Sequence, residues 1–203
     1  HSPLTREADL GKAPWRWAWT AALSIGITTW IWAVPAPAYD PGAEFKQGTK
    51  VITPQIGGGA ANNVEANTTY THVTFVNVTT RLSLLPWDPL GAGFWKGAVE
   101  GGLEPWFQIY LSPSAVMEGL KGVARYHFLS ASPIFPYVEL SAGVAASSLN
   151  IREIQSDFAF VLETGIGLSY FVGEGVALTV GYRFQHVSNG GIEAVRANEL
   201  RTP

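Results

Sequence analysis

The chain has 203 residues and a formal net charge of −3, with charged residues at 14% and aromatic residues at 12%. It carries no basic tract interleaved with aromatics, so nucleic acid is not an expected partner; with no cysteine, disulfides, thiol catalysis and cysteine-ligated metals are excluded. Low charge together with 22 glycines and abundant Trp, Tyr and Phe is unusual for a cytosolic enzyme and suits a β-barrel in a membrane, where lipid-facing positions are apolar and aromatics gather at the interfaces.

Residues 1–14 are polar and irregular, and Arg16 precedes an uncharged apolar run from Trp17 to Val34. Lys12 and Arg16 resemble the positive start of a secretory leader, Ala18 to Ala33 its apolar region, and Ala36-Pro37-Ala38 a small-residue cleavage site before Tyr39. The alternative is an uncleaved transmembrane anchor, since a run of this length is close to what a bilayer requires. We expect residues 1–38 to be leader and upstream sequence, and residues 39–203 to form the folded unit. The chain starts at His1 and stops at Pro203 in a loop-like stretch, which reads as a piece of a longer protein.

Beyond Tyr39 the pattern becomes alternating segments separated by Gly, Pro, Ser, Asn and Asp. Strands are predicted near 50–60, 68–84, 96–111, 116–129, 135–147, 158–172 and 175–188, with the weakest alternation in the first two. In the later segments one face is apolar: Val99, Leu103, Phe107, Ile109 and Leu111; Leu120, Ala124, Tyr126 and Phe128; Val138, Leu140, Ala142, Val144 and Ala146; Phe158, Phe160, Leu162, Ile166, Leu168 and Tyr170. The opposite face mixes small residues with isolated charges: Glu100, Glu104, Lys121, Arg125, Glu139, Glu163 and Arg183. Those charges are too expensive to bury singly in the core of a sandwich. Inside a narrow barrel they can pair, and small neighbours leave them room. The expected fold is therefore all-β, an antiparallel transmembrane barrel with its apolar face to lipid. A soluble barrel with the two sides reversed has the same period. Single-chain bacterial barrels have an even strand number, so about seven strands here imply an eighth beyond Pro203.

The last strand holds the chemistry. Val176, Leu178, Val180, Tyr182 and Phe184 share one face, and His186 and Ser188 continue it. Two residues apart on a strand, their Cα atoms lie roughly 6.5–7 Å apart and their side chains project the same way. An imidazole base and a serine hydroxyl so placed suit acyl transfer from an ester held in the membrane. The following Asn189-Gly190-Gly191 offers a side-chain amide and exposed backbone N–H groups for an oxyanion. The same string is also compatible with an interfacial His followed by a turn.

Tyr182-Arg183-Phe184-Gln185-His186-Val187-Ser188-Asn189-Gly190-Gly191-Ile192 resembles the signature of the lipid A 3-O-deacylase family, also called PagL-like acyloxyacyl hydrolases. Pro136 to Ala145 and Phe160 to Leu168, with Gly165-x-Gly167, are similar as well; the resemblance is close over residues 130–192 and looser over 45–130. It implies an eight-stranded outer-membrane barrel of a bacterial cell, with a Ser/His/Glu site on its outer surface near the outer leaflet. The implied reaction cleaves the ester of a 3-hydroxy fatty acid at the 3-position of lipid A, with no metal and no cofactor. On this reading His186 is the base, Ser188 the nucleophile and Asn189 a candidate oxyanion donor. The family's acid departs from the pattern. The matching position is Leu200, so the acid is Glu199 or a residue beyond Pro203; Glu193 is too close to Asn189 to match. The implied partner is lipid A or lipopolysaccharide in the outer leaflet, and a homodimer is admitted. The alternative function is a non-catalytic small outer-membrane barrel for envelope structure or adhesion. An outer-membrane phospholipase fits less well, because its longer Asn-x-His context is missing.

His72 and His127 read as barrel-wall or lumen residues, Asp88 and Asp157 as loop residues, and Trp87, Trp95 and Trp106 as interfacial anchors.

Overall fold

The computed structural model describes residues 18–27, 40–62, 72–130, 132–149, 151 and 157–188. It contains eight strands among these residues: β1 (Ala18–Ile27), β2 (Lys50–Asn62), β3 (Thr74–Leu84), β4 (Gly97–Ser112), β5 (Ser114–Phe128), β6 (Ile134–Ser147), β7 (Phe158–Gly173) and β8 (Val176–Ser188). A short helix α1 (Pro41–Glu44) precedes β2. Each strand pairs antiparallel with its sequence neighbours, and β1 also pairs with β8, so the sheet closes into a barrel. The β4–β5 and β7–β8 connections are tight; the β3–β4 connection carries a 3-10 turn at Gly93–Trp95.

The strands β2 to β8 fall where alternation predicts them, the main shift being β3, which begins at Thr74. Besides these seven strands, the described residues include β1, which lies within the stretch expected to be leader. The closing position assigned to a strand beyond Pro203 is filled by β1, from within the stretch read as a leader. The physical reason lies in the composition of that stretch. Trp19, Ala21, Leu23, Ile25 and Ile27 alternate with the small or hydroxylated Ala18, Thr20, Ala22, Ser24 and Gly26. An apolar run that also satisfies a period of two serves a leader or a strand equally well. In the barrel it removes two unpaired edges, which are costly in a bilayer.

The inside-out distribution of polarity is as expected. Ile56, Leu82, Leu103, Leu140, Ile166 and Val180 are exposed on the exterior, whereas Glu100, Glu104, Glu139, Glu163, Arg81, Lys121, Arg125 and Arg183 are buried in the lumen. Charges of opposite sign interlock there. Arg81 reaches Glu104 at 2.8 Å and Glu139 at 3.0 Å. Arg183 meets Glu104 at 2.7 Å, and Arg125 meets Glu139 at 2.7 Å. Lys121 meets Glu163 at 2.9 Å. Apolar plugs close over this layer on both sides: Val73, Phe75, Trp106, Met117, Leu149 and Val187 toward the end of β8, and Phe45, Leu85, Leu129 and Phe135 toward its start. Glycine makes room for a large lumen side chain. A Cβ at Gly167 or Gly181 would collide with the Tyr137 ring, which itself stacks on Arg125 with 3.9 Å from guanidinium carbon to ring centroid.

Trp87 and Trp95 are exposed near the rim at the start of β8, as anchors should be. Trp106 is a correction. It is 4% exposed and lies in the lumen, with the Lys121 ammonium 5.0 Å from its ring centre. Its even position puts it on the row of Glu104 and Gln108, so the strand's parity overrides the residue type.

Candidate active site

β8 is held from the lumen. Arg183 donates from Nη2 to Gln55 Oε1 at 2.9 Å and contacts Glu104 and Glu139; Gln185 donates from Nε2 to Glu163 Oε1 at 2.9 Å. Val187 completes the inward row, 1% exposed against the apolar plug that includes Val161 and Ala159. With Arg183, Gln185 and Val187 all inward, the pleat turns His186 and Ser188 outward.

The register confirms that side. His186 stands opposite Leu162 on β7 and Ser188 opposite Phe160, and both of these partners are exposed on the exterior. On its other flank His186 is in register with Trp19 of β1. Along the outward row of β8, exposure falls toward this end: Tyr182 is exposed, Phe184 half-buried, and His186 only 8% exposed. Ser188, the last residue of the strand, is half-buried at the rim. The imidazole and the hydroxyl are therefore both directed to the exterior of the barrel, in register with Leu162 and Phe160.

Asn189, Glu193 and Glu199, together with the Gly190-Gly191 backbone, lie outside the described residues. His127 is the lumen residue expected from its parity, with Nε2 at 2.7 Å from Glu100 Oε2. His72 is exposed just before β3. Asp88 is a loop residue whose carboxylate accepts the Gln47 N–H at 2.9 Å. Among the described residues no group of three or more His, Asp or Glu side chains is arranged to hold a metal ion.

The reading of motifs left out the residues that hold the site. Gln185 and Arg183 support β8 by bonds to carboxylates on three other strands and to the Gln55 amide on β2, and Arg81 completes the ion layer on which they rest. The signal for all three was parity alone: each sits on the small-residue face, where an isolated charge or amide needs a lumen partner.

The model of the family described as lipid A 3-O-deacylase (PagL) matches residues 69–199, a span that includes β3 to β8, His186 and Ser188. No curated protein and no solved structure matches the chain. An apolar-sided barrel, a Ser and His on the outward face of its last strand and a match over most of its length agree: this chain belongs to the lipid A 3-O-deacylase (PagL) family.

Proposed function

We propose that the chain is an outer-membrane serine esterase that hydrolyses the 3-O-linked hydroxyacyl ester of lipid A, with His186 as general base and Ser188 as nucleophile. The observation that supports this most is the outward placement of both residues, opposite exposed Leu162 and Phe160, within the span matched by the family. A lipid ester can reach such a pair from the side without leaving the bilayer.

The Ser188 hydroxyl attacks the ester carbonyl while His186 takes its proton. The oxyanion of the tetrahedral intermediate is assigned to the Asn189 amide and the backbone N–H groups beside it. Collapse breaks the bond between acyl carbon and sugar oxygen, and His186 returns the proton to that oxygen. Water, activated by His186 in turn, then releases the 3-hydroxy fatty acid from Ser188. No cofactor enters the balance. The acid that orients His186 is Glu199 or a residue beyond Pro203.

The test is mass spectrometry of lipid A from a Gram-negative host expressing the chain, beside Ser188→Ala. Loss of one hydroxyacyl chain with the native protein and not with the variant is expected. Unchanged lipid A, with the barrel recovered from the outer membrane, would leave a non-catalytic barrel as the better reading.

A further inference from the structure

The outward row through Ser188 can be followed across the sheet. Ser188 opposes Phe160, Phe160 opposes Val144, Val144 opposes Leu120, and Leu120 opposes Pro105. Continued through β3, β2 and β1, the row returns to β8 at Leu178, ten residues before Ser188. A shear of ten over eight strands tilts them by about 40°. The row therefore descends from the Ser188 rim toward the middle of the barrel, by about 3 Å per strand.

A groove follows this row on the exterior. Val144, Leu120 and Pro105 form one wall, and the other is the next outward row, Phe158, Ala146, Glu118, Phe107 and Val78. The small side chain of Ala146 on the outward row keeps it open. It lies ~14 Å around the barrel from Ser188, three strands at the usual spacing.

Glu118 is the feature that specifies an occupant. It is exposed on the outward face of β5, between Phe107 and Ala146, within about 5 Å of the depth of Ser188. Among the described residues no hydrogen bond or ion pair engages its carboxylate. A carboxylate at the edge of the hydrocarbon needs a donor. Among the described residues a second copy of the chain offers no cation there. The exposed lysines Lys46, Lys50 and Lys96 belong to the opposite rim, and two facing Glu118 side chains would repel. Donors at that depth are instead the amide N–H and hydroxyl groups that head the acyl chains of a glycolipid.

We propose that this groove binds a second acyl chain of the glycolipid whose ester lies at Ser188, with Glu118 accepting a hydrogen bond from that chain's amide or hydroxyl group. This deepens the deacylase reading. The scissile chain lies against β7 and β8, and a chain some way across the same headgroup descends the groove over β4 to β6. The site then measures the width of a multiply acylated headgroup, and Glu118 is a specificity residue that a single-chain ester never touches.

Two measurements test it. The first is the binding of purified lipid A to the refolded Ser188→Ala protein in detergent micelles, followed by intrinsic fluorescence. Adding Glu118→Leu is expected to weaken binding roughly tenfold, the loss of one hydrogen bond to a charged group. Adding Ala146→Trp, which fills the groove, is expected to weaken it at least as much. Heat-modifiable migration verifies that each variant folds, and Glu118→Leu carries the test if Ala146→Trp does not. Equal affinity in Glu118→Leu would overturn the proposal, whether or not the protein is an esterase. The second compares hydrolysis of lipid A with that of a single-chain aryl ester in the Ser188 background. Glu118→Leu is expected to lower kcat/KM for lipid A and leave the aryl ester unchanged. An equal effect on both substrates, or none on lipid A, would overturn the groove while leaving the esterase intact. Hydrolysis of neither substrate by the native protein would remove the esterase reading and leave the groove to the binding result.

Discussion

Val187 is the residue that decides which way its neighbours look. Buried at 1% exposure inside the barrel, it forces His186 and Ser188 to the exterior, whereas a shift of one position would turn both into the lumen. Replacing His186 by Asn keeps the size and a polar edge but removes the base. Deacylation is expected to fall by about 10²–10⁴-fold, measured as the fraction of lipid A that loses a chain per unit time, with heat-modifiable migration unchanged. Glu199→Gln separates the two assignments of the orienting acid. A comparable loss makes Glu199 the partner of His186, and native activity excludes Glu199 from that role. In the lumen Glu104 is 0% exposed and contacts Lys121, Arg81 and Arg183. Glu104→Leu leaves those cations with one carboxylate fewer, and the barrel is expected to lose about 3–5 kcal/mol against urea unfolding. An unchanged unfolding midpoint would mean that the remaining carboxylates and lumen water absorb the charge.

At the scale of elements the decisive strand is β1. It is in register with β2 from Trp19 to Gly26 and with β8 from Ala18 to Ile27, so it supplies both edges of the closure. Expression of residues 39–203 alone exposes those edges in a medium that cannot satisfy them. That fragment is expected to lose the heat-modifiable, protease-resistant form that the full chain shows. A resistant species from the fragment would mean that β2 and β8 can close on each other. Sequence analysis of the mature N-terminus addresses the leader directly: a start at Tyr39 means that β1 is removed on export, and a start before Ala18 means that it is retained in the barrel.

For the molecule as a whole, the apolar exterior and ionic lumen make opposite faces of one strand respond differently to the same substitution. Leu140, exposed on the outside of β6, is flanked in sequence by Glu139 and Ser141 in the lumen. Leu140→Arg places a charge against lipid and is expected to cost about 2–4 kcal/mol near the bilayer midplane, read from unfolding in vesicles. In a water-soluble barrel the same change would be near neutral. This measurement therefore tests the membrane setting itself, independently of any activity.

Alternation alone was enough to read strands β2 to β8, the two faces of β4 to β8, and the outward direction of His186 and Ser188. Each of these depends only on a period of two and on the cost of stranding a charge, and both are local properties of the chain. The eleven-residue stretch from Tyr182 to Ile192 was likewise enough to suggest the family. Other features needed the closed barrel. Trp19 beside His186, Arg81 reaching Glu104 and Glu139, Trp106 over Lys121 and the groove between the row of Phe160 and that of Phe158 all join residues far apart in sequence. Which residues meet there depends on the register between strands and the shear accumulated around the barrel, and register is a property of pairs of strands that no single strand encodes. The N-terminal stretch shows the same limit, since its alternation permits a strand but only two unpaired edges waiting on β2 and β8 give that strand a place to form.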